Sequence, residues 1–194
     1  MNSGLLIAVI LILIVYVIAR SRRSPALPQK QATPDPKASP ESVYEGMRNM
    51  VLGGTRERFG LPPTSTPTEP WGVVMDWGVD RGTATVMALS DGSASIYLSG
   101  GGGYIGGQNQ EAVKGAALNA IQVAWRYPSQ MRKTSDYNLP TAGEVIFYLL
   151  TDSGVFTAAA KEAELRNQEH PLAKLGNALQ DVVTQYRILE EYKK

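Results

Sequence analysis

The chain has 194 residues with 19 Lys plus Arg, 18 Asp plus Glu, a single His, no Cys, and 43% apolar residues. From Glu41 onward the balance is 14 basic against 17 acidic residues, net −3, because Arg20, Arg22, Arg23, Lys30 and Lys37 all precede it. That part is large enough for one domain with a true core, has no basic stripe for nucleic acid, and offers no Cys/His set for zinc.

The first element is the run Leu5 to Ala19, LLIAVILILIVYVIA, which carries no charge and no strong helix breaker. As a helix, its 15 residues span roughly 22 Å, and adding Met1 to Gly4 brings this to roughly 28 Å, near the thickness of a hydrocarbon core. Twelve of the 15 are Leu, Ile or Val, which favour insertion by about 4 to 7 kcal/mol in total. A cleaved signal peptide would place its charge before the apolar run and a small-residue site after it, whereas here Ile18-Ala19-Arg20-Ser21 follows. A buried core segment would need a core to join, and a Pro-rich stretch comes next instead. Residues 1–20 therefore read as a single transmembrane anchor in the lipid bilayer. Arg20, Arg22 and Arg23 keep to the cytoplasmic side, so the N-terminus is expected outside and the remainder in the cytoplasm, at the inner membrane. The same three arginines are candidate contacts for anionic headgroups. The absence of cysteine is compatible with a reducing compartment.

Residues 21–40 form a Pro-rich linker, with Pro25, Pro28, Pro34, Pro36 and Pro40 among Ser, Gln, Lys and Thr. Each proline removes a donor and biases its predecessor to extended backbone. Pro25-Ala-Leu-Pro28 also matches the PxxP pattern of polyproline ligands, although a spacer is the simpler reading.

A helix is predicted from Ser42, with Ser42-Val-Tyr-Glu45 as a capping box, a stripe of Tyr44, Met47, Val51 and Leu52, and Gly53-Gly54 at its end. Residues 61–70 are a Pro/Thr-rich loop. Strands are predicted over Trp71–Trp77, Thr83–Ser90 and Ser93–Leu98, the last two joined by Asp91-Gly92. The glycine-rich stretch 100–107 follows. Asn109–Tyr127 has helical spacing, with Val113, Ala116, Ala117, Ala120, Ile121 and Ala124 on one face. Residues 129–142 read as a polar loop, Glu144–Thr151 as the best strand, and Val155–Ala158 as its hairpin partner. From Pro171 an amphipathic helix carries Leu172, Leu175, Leu179, Val182, Tyr186 and Leu189, a stripe that serves either the core or a homodimer through Leu172 to Leu189. The expected fold is α+β: a five-stranded, mainly antiparallel sheet with flanking helices over 41–194, preceded by one N-terminal transmembrane helix.

Chemistry-bearing patterns are sparse. Gly101-Gly-Gly103-Tyr-Ile-Gly106 matches GxGxxG in form, which makes Gly101, Gly103, Tyr104, Gly106 and Gly107 a candidate ligand- or backbone-contact loop. The preceding strand belongs to a hairpin, no acid follows a second parallel strand, and no Lys-Ser or Lys-Thr completes a P-loop. The glycines are more simply explained by positive φ and close packing. No cofactor, metal site or catalytic residue is indicated. A nucleophile triad would need the lone His170, which stands before Pro171 at a helix start, and Asp76, Asp80, Asp91, Asp136 and Glu144 show no catalytic spacing. Trp71, Trp77 and Tyr104 either line a pocket at the sheet edge or pack in the core.

The runs Trp71–Trp77, Ala88–Tyr97, Ile105–Gln108 and Glu144–Thr151 together resemble a family of bacterial membrane-anchored proteins with no assigned activity. That resemblance implies a bacterial setting and a domain beginning near Tyr44, and transfers no catalytic residue. The order of elements is similar to profilin-like and roadblock-like domains, which are binding modules. The expected function is a membrane-tethered cytoplasmic protein-interaction or scaffold domain. The alternative is a small-ligand-binding or enzymatic domain built on Gly100–Gly107.

Overall fold

Five runs of the chain are rich in β-branched, aromatic and small apolar residues, and tight glycine turns join them as a three-strand meander and a hairpin. In the computed structural model, which describes residues 39–191, these are β1 (Gly72–Val79), β2 (Gly82–Leu89), β3 (Ala94–Leu98), β6 (Glu144–Thr151) and β7 (Gly154–Lys161). Two further strands, β4 (Gly103–Ile105) and β5 (Arg132–Thr134), extend the sheet. The spatial order is β4-β3-β2-β1-β6-β7-β5, and every neighbouring pair is antiparallel.

The five-stranded expectation is thus corrected to seven. The two extra strands are three residues each and stand at opposite edges of the sheet. Strands this short show no period-2 pattern of their own. They form because a longer neighbour offers a free row of backbone groups: Tyr104 pairs with Ile96, and Lys133 with Phe156. The expected transmembrane helix over Leu5 to Ala19 lies outside the described residues, as do residues 21–38 of the linker. Among the described residues no helix is long and apolar enough to cross a membrane.

Alternation along the central strand β1 divides the interior into two cores. Val73, Met75 and Trp77 face one side, and Val74 and Asp76 the other. The first side is covered by α2 (Glu111–Ala124) and the long C-terminal helix α4 (Ala173–Glu191), with the single turn α3 (Glu162–Leu165) between β7 and α4. Ala116, Ala117, Ala120 and Ala124 are all buried, so α2 lies close on the sheet. The stripe of α4 is spent within the chain, since Leu175, Leu179 and Val182 have no exposure. The second side is covered by α1 (Pro40–Leu52) and the segment that follows, through Tyr44, Val51, Leu52, Leu61 and Trp71.

α1 begins earlier than the Ser42–Glu45 box predicts. Ser39 is the cap, its hydroxyl oxygen accepting from the Ser42 amide at 3.2 Å, and Pro40 takes the first helical position, where a missing N–H costs nothing.

Candidate functional site

The five glycine-loop candidates lie along one short stretch, from the β3–β4 turn through β4 into a 3-10 turn. Gly101 and Gly102, with φ of 94° and 89°, reverse the chain between β3 and β4. At Gly103, φ is 141° and a Cβ would lie 2.0 Å from the Ile96 carbonyl oxygen. Gly106, φ 73°, leads into a single 3-10 turn, Gly107–Asn109. A Cβ on Gly107 would lie 2.3 Å from Val113 Cγ1 and 2.5 Å from Tyr186 Oη. Tyr104 stacks on Tyr186 of α4 with ring centroids 5.0 Å apart, and the Tyr186 hydroxyl donates to the Ala94 carbonyl at 2.6 Å. Burial pushes both phenols up, with Glu190 adding to the effect at Tyr104. The loop therefore runs strand–turn–strand, and a 3-10 turn separates it from α2. A phosphate cradle needs the glycines to open directly onto a helix N-terminus. Here hairpin geometry engages Gly101 and Gly103, and contact with Val113 of α2 and Tyr186 of α4 engages Gly107.

The other candidates separate. Trp71 and Trp77 lie on opposite faces of β1, each 2% exposed, and Trp77 donates from Nε1 to Glu162 at 2.9 Å. Neither joins Tyr104 in a pocket. His170 accepts the Leu172 amide on Nδ1 at 3.2 Å, just ahead of α4, a turn role. Among the described residues no group of three or more His, Asp or Glu is placed to hold a metal. Arg20, Arg22 and Arg23 lie outside the described residues.

Two constellations are not anticipated by motif. The first is an ion pair under α1. Arg48 donates from Nε and Nη2 to one Asp76 oxygen at 2.8 and 2.6 Å, and from Nη1 to the Tyr137 carbonyl at 3.0 Å. The Thr85 hydroxyl donates to the second Asp76 oxygen, and Tyr44 and Thr85 share a hydrogen bond at 2.9 Å. The guanidinium stands 5.8 Å from the centre of the Tyr148 ring. Burial pushes the Asp76 carboxyl up while the bonds from Arg48 and Thr85 pull it back. Tyr148 is pushed up to about 12, by burial first and then by the Asp76 charge. Asp76 is 0% and Arg48 4% exposed, and the polar atoms of the pair face one another instead of an opening. The cluster positions α1 and the 137–138 segment on the sheet. Its signal in the sequence is a charge of each sign at a core position: Arg48 one turn after Tyr44, and Asp76 two residues after Val74.

The second is an open groove of about 590 Å³ between the 65–70 loop, the end of α2 and β7. Trp125, the first residue past α2, is 53% exposed beside it, with Pro70, Pro128 and Phe156 as further apolar lining and Glu69 on the loop side. The wall is well held. The Glu69 carboxylate accepts the Ser65 amide at 2.8 Å, the Pro67 carbonyl accepts the Ser153 amide at 2.8 Å, and Asp152 joins Thr64 to Arg56. An exposed tryptophan against a fixed, part-apolar wall is a surface suited to binding, since such rings bury a large area at small entropic cost. Helical spacing concealed it, because Trp125 falls inside the predicted helix while the residues that border it come from distant segments.

No family model matches this chain, nor does any curated protein or solved structure, so the geometry of its own surface carries the functional reading.

Proposed function

We propose that this chain is a protein-interaction module held at the cytoplasmic face of a bacterial membrane, with the Trp125 groove as its contact surface. Attachment is supported by the apolar run Leu5 to Ala19 and by Arg20, Arg22 and Arg23. Interaction is carried by one observation, the 53% exposed indole of Trp125 on a groove whose opposite wall is hydrogen-bonded in place. A site built this way binds by shape and apolar contact, with Glu69 setting a preference for basic or neutral ligands.

The test is site-specific photocrosslinking in cells expressing the full chain, with the crosslinker at Thr68 in the groove or at exposed Lys174 on α4. A discrete adduct is expected from Thr68, absent from Lys174 and lost in Trp125→Glu. Equal yields from the two sites, or an adduct indifferent to Trp125→Glu, would remove the groove from the function.

A further inference from the structure

The groove and the PxxP match in the linker belong to one recognition chemistry. Extended proline-rich segments hold the polyproline II shape without internal hydrogen bonds, and they dock on shallow aromatic troughs with little freedom left to lose. Trp125 and Phe156, flanked by Pro70 and Pro128, form such a trough, and Pro25-Ala-Leu-Pro28 carries the sequence pattern of such a segment.

The sheet register shows that one can reach the other. Phe156 pairs with Leu149, and Leu149 with Val73, which locates the groove at the β7 side of the sheet. Pro40 lies where a Cβ on Gly101 would meet it at 3.1 Å, past Leu98, which pairs with Ala84 opposite Trp77. From β3 to β7 there are four strand spacings, and the shift along the strands is about six residues, so the separation is about 28 Å in the plane of the sheet and about 30 Å once the offset of α1 from it, about 10 Å, is included. From Pro28 to Pro40 twelve residues reach about 37 Å at about 3.1 Å per residue, which exceeds that separation. Charge agrees with this pairing. Residues 20–37 carry Arg20, Arg22, Arg23, Lys30 and Lys37 against Asp35, while the domain is net negative and Glu69 lines the groove.

We propose that Pro25–Pro28 of the chain's own linker occupies the Trp125 groove, so that an outside partner must displace it. The inference rests on the reading of this groove as the interaction surface. A tethered segment acts at an effective concentration in the millimolar range, so even a weak intrinsic contact keeps the groove mostly filled. Docking also shortens the free linker and draws the domain toward the bilayer, and displacement lets it out.

Trp71 and Trp77 are each 2% exposed, so collisional quenching of the full chain in lipid nanodiscs reports chiefly on Trp125. In the wild type Trp125 should be shielded, and Pro25→Ala/Pro28→Ala should raise its quenching constant severalfold without altering the far-ultraviolet dichroism. A synthetic peptide of residues 21–38 added to that variant should restore the shielding. Equal quenching of wild type and variant, whether both shielded or both exposed, overturns occupancy by Pro25–Pro28. If the peptide still shields Trp125 in that case, the groove stands as an interaction surface and only the in-chain occupant is wrong. If the peptide fails too, and Thr68 gives no specific crosslink, both readings fall together.

Discussion

Under α2 and α4 the sheet presents Val73, Met75, Phe147 and Leu149, and the helices answer with Ala117, Leu175, Leu179 and Val182. On the opposite face the sheet buries Asp76, Thr85 and Ser95 among apolar Val74, Met87 and Tyr148, and α1 answers with Tyr44 and Arg48 beside Val51 and Leu52. The first interface is held by volume. Many near-equivalent packings of apolar side chains would bury similar area, so the helix pair is stable before it is unique. The second adds direction to its apolar packing. A guanidinium that must meet one carboxylate and two backbone carbonyls admits one placement of α1, and the desolvation of both charges offsets much of what the contact gains. Both faces are thus packed by apolar volume, and the ion pair adds positional precision to one of them.

The strongest test of that division is Asp76→Ala, which strands Arg48 in the interior. It should cost about 3–5 kcal/mol in urea unfolding, whereas Arg48→Met/Asp76→Leu should recover most of the loss because matched apolar replacements avoid the desolvation. If the double variant is as unstable as the single one, the pair contributes net stability and the contrast between the faces is wrong. On the other face, Leu179→Ala should cost about 2–5 kcal/mol with no second-site remedy on a charged residue. A smaller step concerns the sheet edge. Gly103→Ala places a Cβ against Ile96 and should destabilise by about 1–3 kcal/mol, measured by thermal melting, while Gly100→Ala, with nothing within 4 Å, should be near neutral.

The smallest effect separates two carboxylates. Asp76 is sealed, whereas Glu144 is solvated and its carboxyl is held below the usual range by the Thr141 amide first and the Thr141 hydroxyl second. A group with a depressed folded value stabilises above its unfolded value and loses that contribution as pH falls through the folded one. Wild type should therefore exceed Thr141→Val slightly at neutral pH and converge with it in acid, a difference kept small by solvent screening. Parallel curves across that range would show that the Thr141 hydroxyl does not set the Glu144 titration.

The strands that lie inside the sheet are legible because each is a long run of β-formers buried on one or both faces, and β1, β2, β3, β6 and β7 all fall within two or three residues of their expected spans. β4 and β5 are not legible, since their pairing is a property of Ile96 and Phe156 on the neighbours instead of Tyr104 and Lys133 themselves. α3 escapes for the same kind of reason, being a single turn whose Glu164 bonds back to the Lys161 amide at 3.0 Å. The glycine loop is visible as composition, yet only the Ile96 carbonyl and the Tyr186 ring show why each glycine is there. The Trp125 groove could not be read at all, because its walls come from three stretches, 65–70, 125–129 and Phe156, that are distant in sequence.

Both rims of the sheet end in strands of three residues, and one of these presents exposed Arg132 and Lys133. A growing fibril needs a long, flat, uncharged rim on which to lay the next strand. With so few unpaired amides at either border, and cations at one of them, copies crowded together would find little purchase for strand-to-strand growth. The same two short segments that escape detection in the sequence thus shorten the rim on which another strand could be laid.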